Sequence, residues 1–353
     1  MTEYYLPCDF AKAPKCDAHI HYLVTWDALL RYASSVNMHL VSINTALDGV
    51  PVGRQLSVSV RLKKKYPQWF DFLGTFDPSG FASASFAGDA VAYVKKCLNA
   101  GAKGIKIWKN IGMTLQDKDG KYIMADHPAF APVIAYLENK GVPLLAHLGD
   151  PRSCWLPYEK ITLANELHYY NTAPQYHMYR HPDAPAYEEH LAVRDRLLEK
   201  YPRLNFVSAH LGSMEWDIDK VADRFERYPH WTTDLSACIG HIHLQTYRNR
   251  DKVRDFFLQY QDRLMYATDC FIELTGVKAK VKRYLTPGRY AENLCALVGK
   301  EWRNHWLFFA TGEKVPAEKF NLPDAPQTLE GLRLPKHVTD KIFFENARRI
   351  YAL

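Results

Sequence analysis

The sequence predicts an α/β protein folded as a (β/α)8 TIM barrel with long loops after strands four, five and eight. Two observations predict this fold: eight short apolar runs typical of strands, and helical patterns between nearly all of them. Strands that alternate with helices pair in parallel through right-handed crossovers, and eight such units close into a barrel. We expect one domain over residues 1–353, with insertions at about 109–128, 150–187 and 270–330.

The strands are placed by the residues that end the preceding helices. A cation followed by Tyr-Pro closes a helical pattern at Lys65, Lys200 and Arg227. The cation suits the negative end of the helix dipole, and proline cannot continue the helix. Glycine has the same effect in Ala100-Gly-Ala-Lys-Gly104 and Lys140-Gly-Val142. We therefore expect strands at residues 15–21, 39–45, 69–76, 104–108, 143–147, 204–210, 231–236 and 264–269.

Apolar residues between the expected strands recur with the helical period. Ile218, Val221 and Phe225 fall on one face of a helix, and Val253, Phe256 and Phe257 repeat the pattern. An open doubly wound sheet is the competing fold. It would usually place a glycine-rich turn after the first strand, where this chain has His-Ile-His-Tyr-Leu-Val.

The three insertions have different compositions. Residues 109–128 are polar and hairpin-like, residues 150–187 are rich in aromatic residues and histidine, and residues 270–330 include Trp302, Trp306 and Phe308-Phe309. Long loops that carry aromatic residues at a barrel mouth usually act as lids or substrate walls. We expect these insertions to do so.

The composition excludes several classes of protein. With 47% hydrophobic and 24% charged residues, the chain has the balance of a soluble globular protein. It contains no run of about 20 apolar residues and no secretory start, so we expect no membrane association. The net charge of +6 is mild and the basic runs are short, which argues against nucleic-acid binding. Seven cysteines without a Cys-x-x-Cys spacing favour a cytoplasmic location.

The feature that points to chemistry is the pair His19 and His21, two residues apart within a predicted strand. Side chains at this spacing share one face of a strand, so both imidazoles can bind one metal ion. Three more candidates, His147, His210 and Asp269, close later predicted strands. In a (β/α)8 barrel these strand ends meet at one rim, where active sites lie. The sequence therefore predicts a metal site at the rim.

The residue types suggest a role for each member of this group. His19, His21 and His147 supply imidazole ligands, and Asp269 supplies a carboxylate, a set that suits one Zn²⁺ with an open position. A metal lowers the pKa of bound water from near 16 to about 7. Asp269 can then move the proton of that water. His210 is expected to act as an electrophile, as a general acid or base, or as a further ligand.

Two further features leave alternatives open. His241-Ile-His243 repeats the histidine spacing but follows a predicted strand and a glycine, so we reject it as the ligand pair. Lys106, within the fourth strand, is assigned to anchoring a substrate carboxylate or to a structural role. Its carboxylation to bridge two metal ions is the less favoured alternative. Arg152 is assigned, with Lys106, to substrate binding, and Arg180 is a further available cation.

Several motifs together resemble the amidohydrolase superfamily, in its amidohydrolase-related branch that includes aminocarboxymuconate-semialdehyde decarboxylase-like proteins. The resemblance covers almost the whole chain. It rests on Asp17-Ala-His-Ile-His21, Leu144-Leu-Ala-His-Leu-Gly149, Phe206-Val-Ser-Ala-His-Leu-Gly212, Thr233-Asp-Leu-Ser-Ala237, Tyr266-Ala-Thr-Asp269 and Ile342-Phe-Phe-Glu-Asn-Ala-Arg-Arg-Ile350. It implies a barrel with a divalent metal, commonly Zn²⁺, held by His19, His21, His147 and Asp269, with His210 in the active site. A single ion fits this branch better than two.

Three functions follow from these expectations. The first is a metal-dependent hydrolase of a small-molecule amide, ester or lactone. The alternative is a metal-dependent decarboxylase or hydratase of a small carboxylic acid, which could carry an aromatic ring. The third is a barrel that binds metal without catalysing a reaction. In each case the expected partner is a small molecule, and the aromatic loops are compatible with a homodimer.

Overall fold

The computed structural model describes residues 3–47, 49–272 and 287–353. Its core is a curled parallel sheet in the order β8-β7-β6-β5-β4-β3-β2-β1-β9. The strands are β1 (Lys15–Tyr22), β2 (Met38–Ile43), β3 (Phe70–Thr75), β4 (Ile105–Ile107), β5 (Leu144–Ala146), β6 (Phe206–Ser208), β7 (Thr232–Asp234), β8 (Leu264–Met265) and β9 (Phe271–Ile272). A separate antiparallel pair consists of β10 (Lys314–Pro316) and β11 (Thr328–Glu330).

The segment that contains β8 and β9 joins the two edges of the sheet. β8 pairs in parallel with β7, and β9 pairs in parallel with β1. Between them, the Ala18 N–H donates to the Tyr266 carbonyl oxygen at 3.1 Å, and the Asp269 N–H donates to the His19 carbonyl oxygen at 2.8 Å. The parallel sheet therefore curls onto itself, and the predicted barrel is confirmed.

All eight predicted strands are present. Six lie inside their expected ranges and are shorter than expected. β1 extends one residue further than expected, whereas β2 begins one residue earlier and ends two residues earlier. β3 to β7 are shorter at both ends, and the residues lost at the carboxyl ends of the later strands form the turns at the rim.

Helices surround the sheet, and three of them end where the Tyr-Pro signals predicted, at Lys65, Lys200 and Arg227. The expected apolar face over residues 218–225 is buried. The helices are α1 (Ala28–Ser35), α2 (Val52–Lys65), α3 (Phe86–Asn99), α4 (Asn110–Met113), α5 (Ala131–Lys140), α6 (Ala164–Thr172), α7 (Tyr187–Lys200), α8 (His210–Ser213), α9 (Ile218–Arg227), α10 (Ile239–Arg248), α11 (Arg250–Gln259), α12 (Pro287–Ala310), α13 (Lys336–Asp340) and α14 (Asn346–Tyr351).

Among the described helices, none has the length and apolar character that a membrane span requires. The first insertion contains the expected hairpin, closed by an antiparallel bridge between Gln116 and Tyr122. The second insertion contains α6 and several short 3-10 turns, and it buries Cys154, Tyr170 and Tyr176 in a satellite apolar cluster beside Trp108.

The third insertion differs from the expectation. Residues 273–286 lie outside the described residues, but Trp302 and Trp306 belong to α12 and are fully buried. Trp302 stacks on Tyr32 of α1 with ring centroids 6.1 Å apart, and Trp306 packs edge-on against Phe10 at 5.8 Å. Their assignment to a lid at the barrel mouth was wrong. Residues four apart share one face of a helix, and here that face packs into the core.

Candidate metal centre

The ends of two strands at the barrel rim bring together a compact polar cluster. His19 and His21 lie two apart on β1, and both rings are buried, with centroids 5.2 Å apart. Asp269 follows β8, and its Oδ1 lies 3.3 Å from His19 Nε2 and 3.1 Å from His21 Nε2. Potential ligand atoms of these three residues all lie within 4.8 Å of one another, so one ion can contact all three.

The backbone at the rim adopts an uncommon conformation. Asp269 has φ 69° and His210 has φ 57°, both in the left-handed region. Non-glycine residues rarely adopt this region, and they hold it only where the surroundings fix them. Here the His210 N–H donates to Asp234 Oδ1 at 2.9 Å, and the Asp269 N–H donates to the His19 carbonyl oxygen. These hydrogen bonds secure the turns that follow β6 and β8.

Hydrogen bonds to obligate acceptors fix which nitrogen of each first-strand histidine carries the proton. His19 Nδ1 lies 2.8 Å from Asp234 Oδ2, and His21 Nδ1 lies 2.8 Å from the Ile43 carbonyl oxygen. Because a carbonyl oxygen and an ionised carboxylate only accept hydrogen bonds, both Nδ1 atoms donate. In a neutral ring the other nitrogen, Nε2, then carries a lone pair, and in both histidines Nε2 is directed toward Asp269.

Hydrogen bonds also fix which nitrogen carries the proton in the two histidines that follow the later strands. His210 Nδ1 donates to the Ser236 carbonyl oxygen at 2.7 Å, and His147 Nε2 donates to Asp150 Oδ1 at 3.1 Å. The remaining nitrogens, His210 Nε2 and His147 Nδ1, face each other at 3.3 Å. If both rings were neutral, a lone pair on each of these nitrogens would face the other. This contact therefore requires an extra proton or a nearby cation.

Burial makes extra protons costly in this cluster. Burial lowers the pKa of His19 to about 4, with a further decrease from the charge of Lys106. Burial, together with the charges of His210 and Lys106, holds the pKa of His147 well below its usual value. Neutral imidazoles that present lone pairs beside a carboxylate are the donor set that divalent transition metals prefer. A metal ion therefore fits these residues.

His147 lies outside the three-residue group whose ligand atoms are within 4.8 Å. It is connected to that group through His210, whose ring stacks on His19 with centroids 5.6 Å apart. The structure thus places all five predicted residues at one rim, and the assignment of His147 as a ligand stays a prediction.

Asp269 and Asp234 are the carboxylates of the centre. Burial raises the pKa of Asp269, but the hydrogen bond with His21 and the charges of His19 and His210 lower it further, to well below its usual range. Burial also raises the pKa of Asp234, whereas its interactions with His19 lower it to about 2. Both carboxylates are therefore ionised at neutral pH.

Asp234 is a residue that sequence analysis did not single out. It orients His19 through its side chain and receives the backbone N–H of His210, so it links two members of the cluster. A carboxylate that holds the outer nitrogen of a metal-binding histidine fixes its tautomer and orientation. The available signal was its position at the end of β7, the location that the other candidates share.

A family model described as Amidohydrolase matches residues 16–353. The chain belongs to the amidohydrolase family. The resemblance that the sequence motifs indicated is therefore confirmed. No curated protein matches this chain.

Two solved structures with a TM-score of 0.50 show the same fold, and a third is slightly less similar. The 2,6-dihydroxybenzoate decarboxylase from Rhizobium has 16% identity and a TM-score of 0.50, over 96% of this chain and 99% of that chain. A protein described as amidohydrolase II has 15% identity and a TM-score of 0.50, over 96% and 100% of the two chains. A dihydroxybenzoic acid decarboxylase from Polaromonas sp. JS666, solved with manganese and 2-nitroresorcinol, has 12% identity and a TM-score of 0.49, over 97% of each chain.

A cavity of about 390 Å³ lies against the candidate metal centre. His21, His147, His210 and Asp269 form its floor. Phe271 stacks on His21 with ring centroids 4.1 Å apart. The insertion over residues 150–187 supplies a wall of the cavity, as expected. The aromatic residues that line the cavity are Trp108, Tyr169, Tyr170, Tyr176 and Phe271.

Lys109, just after β4, is a cation in this lining that sequence analysis missed. Its Nζ contacts Asp150 Oδ2 at 2.7 Å and donates to the Tyr169 hydroxyl at 2.9 Å. Nζ also lies 4.5 Å from the centre of the Tyr176 ring. Burial lowers the pKa of Lys109, but the charges of Asp150 and Tyr169 raise it above its usual range. The lysine is therefore held as a cation.

The two predicted substrate-binding cations occupy different environments. Lys106 is fully buried in β4, and its Nζ has no hydrogen-bond partner among the described residues. Burial lowers its pKa to about 8, although the charges of Asp234 and Asp269 oppose this. Arg152 is exposed, with its guanidinium 4.6 Å from the centre of the Trp216 ring, and it is not among the residues described as lining the cavity. Their roles stay predictions.

A second polar cluster faces the same cavity. Glu166 of α6 and Glu215, after α8, both line the cavity and are buried. His241 of α10 places Nε2 at 2.5 Å from Glu166 Oε1 and at 3.9 Å from Glu215 Oε1. No local pattern in the sequence predicts this cluster, because its members come from α6, the segment after α8, and α10.

Proposed function

We propose that this amidohydrolase is a metal-dependent decarboxylase of a small aromatic carboxylic acid. The observation that supports this proposal is the position of a cluster of imidazole lone pairs at the floor of an aromatic cavity. Such a cavity accommodates a planar ring, and the floor fits a metal ion. The solved decarboxylase from Rhizobium shares the fold, and its name suggests the substrate class to test.

The residues proposed to hold one divalent ion are His19, His21, His147 and Asp269. Zn²⁺ is the first choice for this set of three nitrogens and one oxygen. When bound, such an ion supplies a Lewis acid that polarises substrate oxygen atoms. The buried Lys106 amine, near the same carboxylates, is proposed to stabilise their charge or that of the substrate carboxylate.

Decarboxylation breaks the bond between the ring carbon and the carboxylate and releases CO2. The electron pair left on the ring carbon must then take up a proton. His210 is the proposed proton donor: when its ring is protonated it carries one proton on Nδ1, bound to the Ser236 carbonyl oxygen, and a second on Nε2, which passes to the ring carbon. The reaction consumes one proton from solvent per turnover, and Asp269, at 25% side-chain exposure, is the carboxylate proposed to relay that proton to His210. The tyrosines of the second insertion would hold the ring and exclude water.

Product analysis tests this proposal against hydrolysis, the first expectation from the sequence. The metal-loaded protein is incubated with hydroxylated benzoic acids in one set and with lactones, esters and amides in another. We expect CO2 and the decarboxylated ring from the first set. Ring opening or cleavage in the second set, with no CO2 from the first, would reject decarboxylation in favour of hydrolysis.

A His210→Asn variant separates proton transfer from metal binding. Loss of a positioned acid or base typically costs about 10²–10⁴-fold in rate. We expect a loss in that range with metal content unchanged, measured by elemental analysis. An active His210→Asn variant would contradict the assigned role.

A further inference from the structure

The cluster of Glu166, Glu215 and His241 has no role in the proposed reaction, although it borders the same cavity. Its three donor groups converge so that potential ligand atoms lie within 4.8 Å of one another. The exposed fractions of these residues are 9% for Glu166, 1% for Glu215 and 5% for His241. Two carboxylates and one imidazole are thus held together away from bulk water.

The hydrogen bonds of this cluster are incomplete. Neither carboxylate oxygen of Glu215 has a hydrogen-bond partner, and Oε2 of Glu166 has none, within the part of the chain that the structure describes. An ionised carboxylate buried without partners is strongly destabilised. Burial accordingly raises the pKa of Glu215 to about 8, and the charge of Glu166 adds to this effect.

A cation between these oxygens would remove the deficit. His241 cannot do so alone, because its Nε2 bonds Glu166 and lies 3.9 Å from Glu215. One imidazole nitrogen with two carboxylates is a donor set used by Zn²⁺, Mn²⁺ and Fe²⁺. On binding, the metal would displace the protons of His241 Nε2 and Glu215, which leave to solvent.

We propose that Glu166, Glu215 and His241 form a second binding site for a divalent transition-metal ion in the wall of the catalytic cavity. This site differs from the rim centre in its ligands and in the elements that supply them. α6, the segment after α8, and α10 each contribute one ligand, whereas the rim residues lie on a barrel strand or directly after one. The second ion is independent of Lys106.

Metal counting with Mn²⁺ as the probe tests this site. The protein is stripped with a chelator, dialysed to equilibrium against Mn²⁺, and analysed for bound metal per chain. We expect two ions in the wild type, one in Glu215→Gln and one in His19→Ala. The double variant should bind none.

Matched controls keep the result interpretable. Burial raises the pKa of the half-buried Glu318 carboxyl, as it does that of Glu215, but Glu318 lies outside both clusters, so Glu318→Gln should retain two ions. Glu166→Gln repeats the test if Glu215→Gln fails to fold, as judged by cooperative thermal unfolding.

The outcomes separate the two sites. One ion in the wild type that is lost in His19→Ala, or a count in Glu215→Gln and Glu166→Gln equal to that of the wild type, would overturn the second site. One ion that is retained in His19→Ala but lost in Glu215→Gln would instead reject the rim centre and the proposed reaction, and it would leave the second site standing.

Discussion

The chain contains the tripeptide His-Ile-His twice, and the two copies have different fates. His19 and His21 lie on a strand, where both Nε2 atoms face Asp269. His241 and His243 lie on α10, where residues two apart diverge. His241 bonds Glu166, while His243 packs edge-on against Phe308 with ring centroids 4.4 Å apart. Secondary structure, rather than the tripeptide itself, determines whether two imidazoles can share one ion.

The largest expected difference in metal affinity is between two single variants, each of which loses one histidine from one copy of the tripeptide. His21→Ala removes a proposed ligand of the rim ion, so metal affinity should fall by more than the roughly 10–100-fold that loss of an outer partner costs. His243→Ala should retain that ion, because the His243 ring faces α12 and the core. Equilibrium dialysis against Zn²⁺ compares the two variants. Equal losses in both would show that the strand pair has no special role.

A smaller effect is expected from the carboxylate that orients the strand pair. Asp234→Asn removes the charge that holds His19 Nδ1, and metal affinity should fall by about 10–100-fold. Asp71→Asn is the matched control, since Asp71 is also buried and lies 3.1 Å from a histidine nitrogen, that of His39, away from the rim. Competition with a chromophoric chelator measures both affinities. A Kd that changes equally in the two variants would count against orientation by Asp234.

The smallest effect concerns the pH dependence of stability. Burial lowers the pKa of His243 to about 3. The unfolded chain, in which the His243 pKa is about 6.5, therefore binds a proton at this imidazole more readily than the folded chain does. The stability that the neutral ring contributes above pH 6.5 is lost as the pH falls toward 3. His243→Gln removes this contribution, so between pH 7 and pH 5 its free energy of unfolding should fall less than that of the wild type, by on the order of 1 kcal/mol. Denaturant unfolding at each pH tests this, and parallel curves would contradict it.

Local signals in the sequence predicted much of the fold. The three Tyr-Pro signals located helix ends at Lys65, Lys200 and Arg227 because dipole and proline effects act within a few residues. The barrel followed from the alternation of strands and helices. Trp302 and Trp306 were misplaced because an aromatic pair at helical spacing suits both a lid and a core helix, and packing partners such as Tyr32 and Phe10 cannot be read from a local pattern.

The site was predictable only where strand position alone suffices. His19, His21, His147, His210 and Asp269 follow from the rule that barrel strands end at one rim. The grouping of Glu166, Glu215 and His241 does not follow from this rule, because their convergence depends on how α6 and α10 pack over the barrel. Lys109 was missed because its position in the cavity lining depends on contacts with Asp150 and Tyr169, which are distant in sequence.

Closure of the barrel also fixes when the rim centre can exist. His21 and Asp269 are 248 residues apart, and the carboxylate arrives only with the last strand segment. A nascent chain on the ribosome exposes the first two imidazoles long before their acidic partner has been synthesised. Because the Asp269 N–H also bonds the His19 carbonyl oxygen, docking of the final segment and completion of the ligand set are one event. Uptake of the proposed ion would thus mark a finished molecule, and a chain truncated before Asp269 should leave the ribosome without it.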